Sequence, residues 1–279
     1  MKRGIAVVAM VVFLAGGSGA ARAAEPSRKE INAWVSDHTA TKIAELLKVG
    51  AITSLTRVVL TNAVYLKAPW ATPFEKSVTR PEPFHVAAGA TADVPFMHRS
   101  DSLVAGIVGD GPKAATVCEI PYEGGQLAMV VVVPHAIDGL TEVLADLDGG
   151  SLAGWRAEAM RPRPVNLALP KWTARKPLDL GATLAALGMQ RAFHAAVADF
   201  SGLDGTRDLF VSAVVHEGFV DVSAEGTEAA AATGVAIATR AMPVRDEPLE
   251  VRADRPFAWA VIERGTGVPL FAGVVADPR

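Results

Sequence analysis

The sequence lacks the residues that most covalent and metal-dependent chemistry requires. Its 279 residues include one cysteine, Cys118, and a lone thiol cannot close an intrachain disulfide or form a C-x-x-C metal or redox pair. The six histidines show no H-E-x-x-H or comparable ligand spacing. We therefore predict no metal site and no cofactor. We expect Cys118 to be a small buried hydrophobe in a core that is held together by packing alone.

An excess of charge of one sign is also absent. The chain has 27 Lys and Arg against 30 Asp and Glu, a formal net charge of −3, and no long runs of like charge. A face that binds nucleic acid needs clustered positive charge, so nucleic-acid binding is not expected. Residues 109–114 have the G-x-G-x-x-A spacing of a dinucleotide loop, but Pro112 stands where the phosphate-binding helix should begin. No G-x-S-x-G nucleophile elbow follows residue 23, so nothing favours a hydrolase.

The first residues have the composition of a secretory leader. Lys2 and Arg3 precede an apolar run over residues 5–14, and small residues follow up to Ala23. This order predicts a signal peptide over residues 1–23 that is cleaved after Ala23. The alternative is an uncleaved anchor, but the apolar run is shorter than the roughly 20 residues that span a bilayer. We therefore expect no membrane attachment and a secreted domain over residues 24–279, extracellular or periplasmic.

Helical and strand-like segments are mixed without a regular βαβ alternation, which predicts an α+β fold with mainly antiparallel sheet. Apolar residues spaced by three and four predict a helix from Glu30 that stops at Gly50. Alternating or continuous apolar runs around Gly- and Pro-containing turns predict the strands. The other predicted elements are strands at 57–67, 118–122, 127–133, 165–169, 209–222 and two within 251–276, and helices on both sides of residues 149–150 and at 178–187.

The most informative segment is residues 225–240. Composition alone would allow an Ala-rich linker or an exposed helix, but side chains that alternate along an extended chain form two distinct faces here. No charge lies between Glu228 and Arg240 to oppose burial, and Gly226 supplies a hinge. The segment could therefore slot between two strands of an existing sheet. One face holds Thr227, Ala229, Ala231, Thr233, Val235 and Ile237, and the other holds Glu228, Ala230, Ala232, Gly234, Ala236 and Ala238.

This hinge resembles that of serpins, the serine protease inhibitors whose reactive loop inserts into a β-sheet. Further segments resemble the same family in the same order: 31–35 its helix F, 60–67 strand three of sheet A, 211–216 strand five, and 253–257 with 270–274 the last strands of sheet B. The resemblance implies a serpin-like fold with three groups of functional residues. They are a hinge and insertion strand of Glu225, Gly226, Thr227, Glu228, Ala229, Ala230, Ala231, Ala232 and Thr233, a reactive bond between Arg240 and Ala241, and a sheet-opening region of Asn62, Trp70 and His216.

The resemblance also implies the activity, which is suicide inhibition of a serine protease rather than enzymatic catalysis. Arg240 would suit a trypsin-like, Arg-directed protease, whose specificity pocket holds an aspartate that pairs with the guanidinium. In the family, residues at the positions of Asn62 and His216 bridge strands three and five. We therefore expect a hydrogen bond between these two side chains.

Several features depart from the family pattern. Helices A to E and the first two strands of sheet A have no counterpart before residue 30, so the chain resembles an N-terminally truncated, secreted serpin of bacterial type. Strand 57–67 would then be an exposed sheet edge, and self-association through that edge is expected. The alternative function is a truncated, non-inhibitory serpin-related binding or structural protein, or a degenerate gene product. Smaller departures are Glu217 for the usual Lys, Arg255 for His, Leu66 for Phe and Ala68 for Gly.

Overall fold

The computed structural model describes residues 4–13, 20–145, 147, 150–227 and 247–279. These residues form strands and helices in the mixed order that the sequence predicts, and most strand pairs are antiparallel. The strands are β1 (Gly4–Phe13), β2 (Val58–Pro69), β3 (Arg80–Ala87), β4 (Ala90–Val108), β5 (Ala115–Pro121), β6 (Leu127–Pro134), β7 (Arg161–Pro170), β8 (Trp172–Asp179), β9 (Val211–Ser223), β10 (Gly226–Thr227), β11 (Leu249–Arg252), β12 (Phe257–Glu263) and β13 (Pro269–Val275). The α-helices are α1 (Ala20–His38), α2 (Leu140–Ala145), α3 (Ser151–Glu158), α4 (Gly181–Ala186) and α5 (Ser201–Asp204).

The chain divides into two compact units. The first comprises Met1–Leu66 and Ala174–Val220, and the second comprises Lys67–Thr173 and Asp221–Arg279. Two sheets run through the fold. One has five strands in the order β1-β2-β10-β9-β8, and the other has eight, in the order β11-β7-β4-β5-β6-β12-β13 with β3 paired to β4.

In the first unit, β2 and β9 pair directly with each other in parallel, from Val58 opposite Val211 to Tyr65 opposite Phe219. Helix α1 and the segment after it bury one face of this pair. The core cluster on that face contains Ile31, Val35, Ile43, Leu46, Leu47, Ile52, Val59, Ala63, Tyr65 and Phe219. A second cluster contains Val58, Leu209, Val211 and Val214, and the residues packed against it are Leu60, Leu180, Leu184, Ala192, Phe193 and Phe200.

Helix α1 ends at His38, so the predicted continuation to Gly50 is wrong. Thr39 Oγ1 donates to the carbonyl of Val35 at 2.8 Å and accepts from the amide of Ile43 at 3.2 Å. These bonds to a hydroxyl compete with the helical pattern, and Ala40 and Thr41 then take left-handed φ angles of 50° and 64°. The predicted apolar residues after this break are still buried, in a non-helical turn.

The prediction that strand 57–67 is an exposed edge is wrong for this chain. Strand β1 lies beside β2 on one side, and β9 and β10 lie on the other, because the apolar run 4–13 is extended and supplies a neighbouring strand. Those residues are the ones that the sequence predicts as a leader. If residues 1–23 were removed, β2 would become an edge, so self-association of the cleaved form stays a prediction.

The second unit contains the larger sheet. The predicted hairpin is confirmed, because β5 and β6 pair antiparallel from Ala115–Pro134 to Pro121–Ala128. Helices α2 and α3 form on both sides of residues 149–150, as predicted, and side chains of both pack against one face of β5, β6 and β12. Cys118 is completely buried, and burial raises its thiol pKa to about 12, so the predicted role as a small core hydrophobe is confirmed.

Candidate functional site

The residues predicted as a hinge form the short strand β10. Gly226 lies opposite Pro69 of β2 and Ser223 of β9, and Thr227 lies opposite Ala68 and Val222. β10 is antiparallel to both neighbours, whereas β2 and β9 pair directly and in parallel over residues 58–65 and 211–219. The chain therefore turns back after β9 and begins a new strand between two strands that are still bonded to each other.

Gly226 occupies a position that no other residue fits. Its φ is +146°, and a Cβ placed on it would lie 2.4 Å from the carbonyl oxygen of Ala68 and 2.5 Å from Cα of Pro69. Both obstacles are backbone atoms, which cannot move aside as a flexible side chain could. The absent side chain is what lets the turn pass close against β2.

We expect Gly226→Ala to destabilise the protein, because it combines a strained backbone, about 1–3 kcal/mol, with a clash against the main chain of β2. The matched control is Gly154→Ala in α3, where a Cβ meets nothing within 4 Å. That change should stabilise by about 0.5–1 kcal/mol. Urea unfolding of both variants measures the difference, and equal stability of the two would show that β10 does not need glycine.

A buried aromatic cluster holds the start of β10 in place. The indole of Trp70 is stacked on Tyr122, with ring centroids 4.6 Å apart and planes 9° apart, and it meets Phe74 edge-on at 6.2 Å. Trp70 Nε1 donates to the carbonyl of Ser223 at 3.0 Å, and its backbone amide donates to the carbonyl of Glu225 at 3.0 Å. The predicted site residue Trp70 thus fixes both ends of the turn between β9 and β10.

Thr227 is anchored by a residue that the sequence analysis missed. Its hydroxyl is completely buried and lies 2.7 Å from Tyr122 Oη. Burial raises the pKa of Tyr122 above its ordinary value, against the opposing effect of the Thr227 hydrogen bond, so the phenol is neutral. Tyr122 therefore binds both Trp70 and Thr227.

We expect Tyr122→Phe and Thr227→Val each to cost about 1–3 kcal/mol, because each leaves one buried hydroxyl without a partner. The double variant removes both hydroxyls and should cost much less than the sum of the single changes. Chemical unfolding of the four proteins gives the coupling energy. Strictly additive losses would mean that the 2.7 Å contact contributes nothing specific.

Glu225 is held by ionic and polar contacts at the turn. Its carboxylate pairs with Lys76 Nζ, and Ser223 Oγ donates to it at 3.0 Å. Burial acts to raise the pKa of Glu225, but the hydrogen bonds from Lys76 and Ser223 outweigh it and hold the pKa below its ordinary value. Since ionised Glu225 is the bonded form, this contribution to the turn is present above the ordinary carboxyl pKa and is lost as pH falls through the lowered value.

Asn62 and His216 lie directly opposite each other in the β2–β9 register, as the resemblance implies. The predicted hydrogen bond between their side chains is not formed, and Asn62 Oδ1 is buried without a partner among the described residues. Burial lowers the pKa of His216 below its ordinary value, against the opposing effect of the Glu217 carboxylate. The ring is therefore favoured in its neutral form within the closed part of the sheet.

Two charged departures from the family pattern have local partners. Glu217 is buried, and its carboxylate accepts from Nε of Arg175 on β8. Arg255 donates from Nε to Asp254 at 2.9 Å and from Nη1 to the carbonyl of His135. Neither charge is therefore left without a partner.

The remaining predicted site residues, from Glu228 to Thr233 together with Arg240 and Ala241, lie outside the described residues. Within the described ranges, no three His, Cys, Asp or Glu side chains are placed to hold a metal ion. In the same ranges, no helix has both the length and the apolarity to span a membrane. The part of the site that the structure describes is the turn into β10 with the residues that hold it, Trp70, Tyr122 and Lys76.

Comparison with known proteins gives a consistent result. A family model described as serpin (serine protease inhibitor) matches residues 19–278. Leukocyte elastase inhibitor A of Rattus norvegicus is 39% identical over 261 residues, which are 92% of this chain and 68% of the relative. A serine protease inhibitor of Cyanea capillata is 35% identical over 251 residues, covering 89% of this chain and 64% of the relative.

Two solved structures are also similar. Serpin48, described as a highly specific serpin in the insect Tenebrio molitor, superposes with a TM-score of 0.76 at 32% identity, covering 91% of this chain and 65% of that one. Uncleaved ovalbumin superposes with a TM-score of 0.82 at 23% identity, covering 98% and 74%, which supports the fold alone. The family model covers nearly the whole chain, and the chain belongs to the serpins, a family of protease inhibitors rather than enzymes.

Proposed function

We propose that this protein inhibits serine proteases as a suicide substrate, with residues 225–241 as a reactive loop that inserts into the sheet. One observation carries the proposal: β10 already lies between β2 and β9, while the strands beyond it are bonded directly to each other. A strand has been started, and its extension would require β2 and β9 to separate.

Extension of β10 would replace the single hydrogen-bond ladder between β2 and β9 with two ladders, one on each side of the inserted strand. The direct β2–β9 pairing is parallel, and a strand that continued β10 would be antiparallel to both neighbours. Antiparallel pairing is slightly more stable per residue than parallel pairing, and the inserted residues would bring new ladder hydrogen bonds. The four consecutive alanines from Ala229 to Ala232 have side chains small enough to fit on either face of a strand between two others.

In the proposed reaction, the protease serine attacks the carbonyl carbon of Arg240, and the Arg240–Ala241 amide bond breaks. The amine of Ala241 takes a proton and leaves, and an ester joins Arg240 to the protease. Freed at its new carboxyl end, the segment inserts behind β10 and carries the protease with it. Distortion of the protease before water hydrolyses the ester would trap the complex.

Arg240 supports a trypsin-like target, because an acidic specificity pocket pairs with a guanidinium. A second candidate is an elastase-type target. The mammalian relatives are named leukocyte elastase inhibitors, and elastases have a small specificity pocket. Small apolar residues from Val235 to Ala238 precede Arg240 and would suit that pocket.

Incubation with trypsin and, separately, with elastase tests the proposal. A covalent complex that survives denaturing electrophoresis, together with a released fragment that begins at Ala241, supports Arg-directed inhibition. A stable complex with elastase alone would replace the trypsin-like assignment. Complete cleavage without any complex would instead support the non-inhibitory alternative.

We further propose that residues 1–23 direct export and that the functional protein begins at Ala24. The support is the order of basic, apolar and small residues up to Ala23. The test is the N-terminal sequence of the protein recovered from the medium or periplasm of an expressing bacterial host. Recovery of the chain in the cytoplasm with Met1 or Lys2 at its start would contradict export.

A further inference from the structure

Strand β11 begins a short distance along the chain from the proposed reactive bond. Eight peptide steps connect Ala241 to Leu249, the first residue of β11, whereas thirteen connect Thr227 to Arg240. An extended chain spans at most about 3.6 Å per residue, so Ala241 lies within about 29 Å of Leu249, and Arg240 within about 47 Å of Thr227. The position of β11 therefore limits the place of the bond more tightly than the position of β10 does.

The backbone holds β11 through a short ladder. Its four residues pair in parallel with β7, from Leu249 opposite Val165 to Arg252 opposite Ala168. Parallel pairing is slightly less stable per residue than antiparallel pairing. A side-chain contact beyond this ladder can therefore add appreciably to the attachment of β11, and Arg252 makes one.

The side chain of Arg252 connects β11 to β3 and β4. Its Nη2 donates to Glu82 Oε2 on β3 at 2.5 Å, and its Nε donates to Asp254 Oδ2 at 3.0 Å. The guanidinium carbon lies 5.1 Å from the centre of the Phe96 ring on β4, within the range of a cation–π contact. One side chain thus links the strand that follows the loop to two other strands of the larger sheet.

Glu82 contacts three basic side chains. Arg80 Nε and His98 Nε2 each lie 2.8 Å from its Oε1, Arg252 binds its Oε2, and the Glu82 side chain is only 12% exposed. Burial acts to raise the pKa of Glu82, but the hydrogen bond from Arg252 and the charges of His98, Arg252 and Arg80 outweigh it and hold the pKa below its ordinary value. Glu82 is therefore ionised at neutral pH, and its bond to Arg252 is charge-assisted.

We propose that Glu82 is a positioning residue for the reactive loop, which fastens β11 through Arg252 and so fixes the carboxyl-side end of residues 228–246. This role rests on the proposed function, since it matters where a protease must reach the Arg240–Ala241 bond. A β11 that is held in one place restricts the positions that Ala241 can take. A larger fraction of the molecules then presents the bond to the protease, which strengthens apparent binding.

Hydrogen exchange tests the attachment without any protease. Glu82→Gln keeps the size of the side chain and removes its charge, so the amides of residues 249–252 should exchange at least about tenfold faster, because a charge-assisted hydrogen bond is lost. The amides of β12 are the internal reference and should keep their rates. The matched control is Asp93→Asn, which removes the same charge from an exposed position of β4 and should leave β11 unchanged.

A second variant tests whether Glu82 acts through Arg252. Arg252→Gln removes the same bond from the other side, so β11 should exchange at least as fast as in Glu82→Gln. The double variant should be no faster than Arg252→Gln alone, because the contact is already absent. Effects that multiply in the double variant would overturn the assignment, since Glu82 would then act on β11 by another route.

Cleavage kinetics test the consequence for the reactive bond. Glu82→Lys repels Arg252, and a detached β11 should raise the trypsin concentration that gives half-maximal cleavage of Arg240–Ala241, with the limiting rate unchanged. The rise is about tenfold if β11 is in place in about a tenth of the molecules. The control Asp93→Lys should match the parent, and melting curves show which variants are folded. If Glu82→Lys does not fold, Glu82→Gln and Asp93→Asn serve for the same measurement.

Unchanged exchange of β11 in Glu82→Gln, or an equal change in Asp93→Asn, overturns the attachment. A loosened β11 with an unchanged half-maximal trypsin concentration overturns the positioning role. The proposed function fails in a different way, by the absence of any covalent complex of the parent with a protease, and the exchange of β11 does not depend on that complex.

Discussion

Cleavage of the Arg240–Ala241 bond is expected to raise the melting temperature of the protein by at least about 10 °C. Once cut, residues 228–239 can follow Thr227 between β2 and β9 and turn a parallel pair into two antiparallel pairs. Each net ladder hydrogen bond contributes about 0.5–1.5 kcal/mol, so a handful would amount to several kcal/mol. One kcal/mol corresponds to about 2–4 °C for a protein of 150–250 residues. Calorimetry before and after limited trypsin digestion measures the change.

The control for this experiment is Ala231→Glu, which leaves the reactive bond intact. In an inserted strand residue 231 would lie on the same face as Thr227, whose side chain is completely buried. A carboxylate there would have to be buried without a partner, at a large cost. The variant should therefore be cut as fast as the parent and gain almost nothing in melting temperature. An equal gain in both proteins would show that the stabilisation does not come from insertion of this segment.

The sequence predicts the parts of the site that depend on local pattern. Spacing predicts Gly226 as a hinge and the extended alternation that begins at Thr227. The family resemblance predicts that Asn62 and His216 lie in neighbouring strands. Their placement opposite each other is confirmed. The hydrogen bond expected between them is absent, because register places two residues on one face without fixing where their polar atoms point.

Contacts between distant parts of the chain could not be predicted. Tyr122 is separated by 105 residues from Thr227, to which it is hydrogen-bonded, and nothing in either segment indicates the other. The only feature of the sequence that singles out Tyr122 is its position at the end of a predicted strand, before a turn that contains Gly124 and Gly125. The end of α1 could not be predicted for a different reason. The helical spacing of apolar residues continues past Thr39, but the backbone leaves the helical conformation there. Buried residues in a turn can imitate helical periodicity over a short distance.

The apolar run near the N-terminus shows a further limit of sequence patterns. An uninterrupted run has no period, so it is compatible both with a secretory leader and with a buried strand. The structure places Gly4–Phe13 as a strand beside β2, while the order of basic, apolar and small residues predicts a leader. The strand is what the structure describes for the chain as given, whereas the leader stays a prediction, which N-terminal sequencing of the recovered protein would test.

Replacement of Arg240 is expected to change which protease the protein inhibits. Arg240→Glu should slow the formation of any covalent trypsin complex by at least about 1,000-fold, because a carboxylate repels the aspartate in the pocket and loses a charge-assisted pairing worth several kcal/mol at the transition state. Arg240→Lys is the matched control and should retain most of the rate, because it keeps the charge and loses only the planar fork of the guanidinium. Association rates with trypsin, followed by loss of protease activity, provide the measurement, and melting curves confirm that the variants are folded. If Arg240→Glu still traps trypsin at the parental rate, the reactive bond lies elsewhere in residues 228–246, and sequencing the fragment released from the complex locates it.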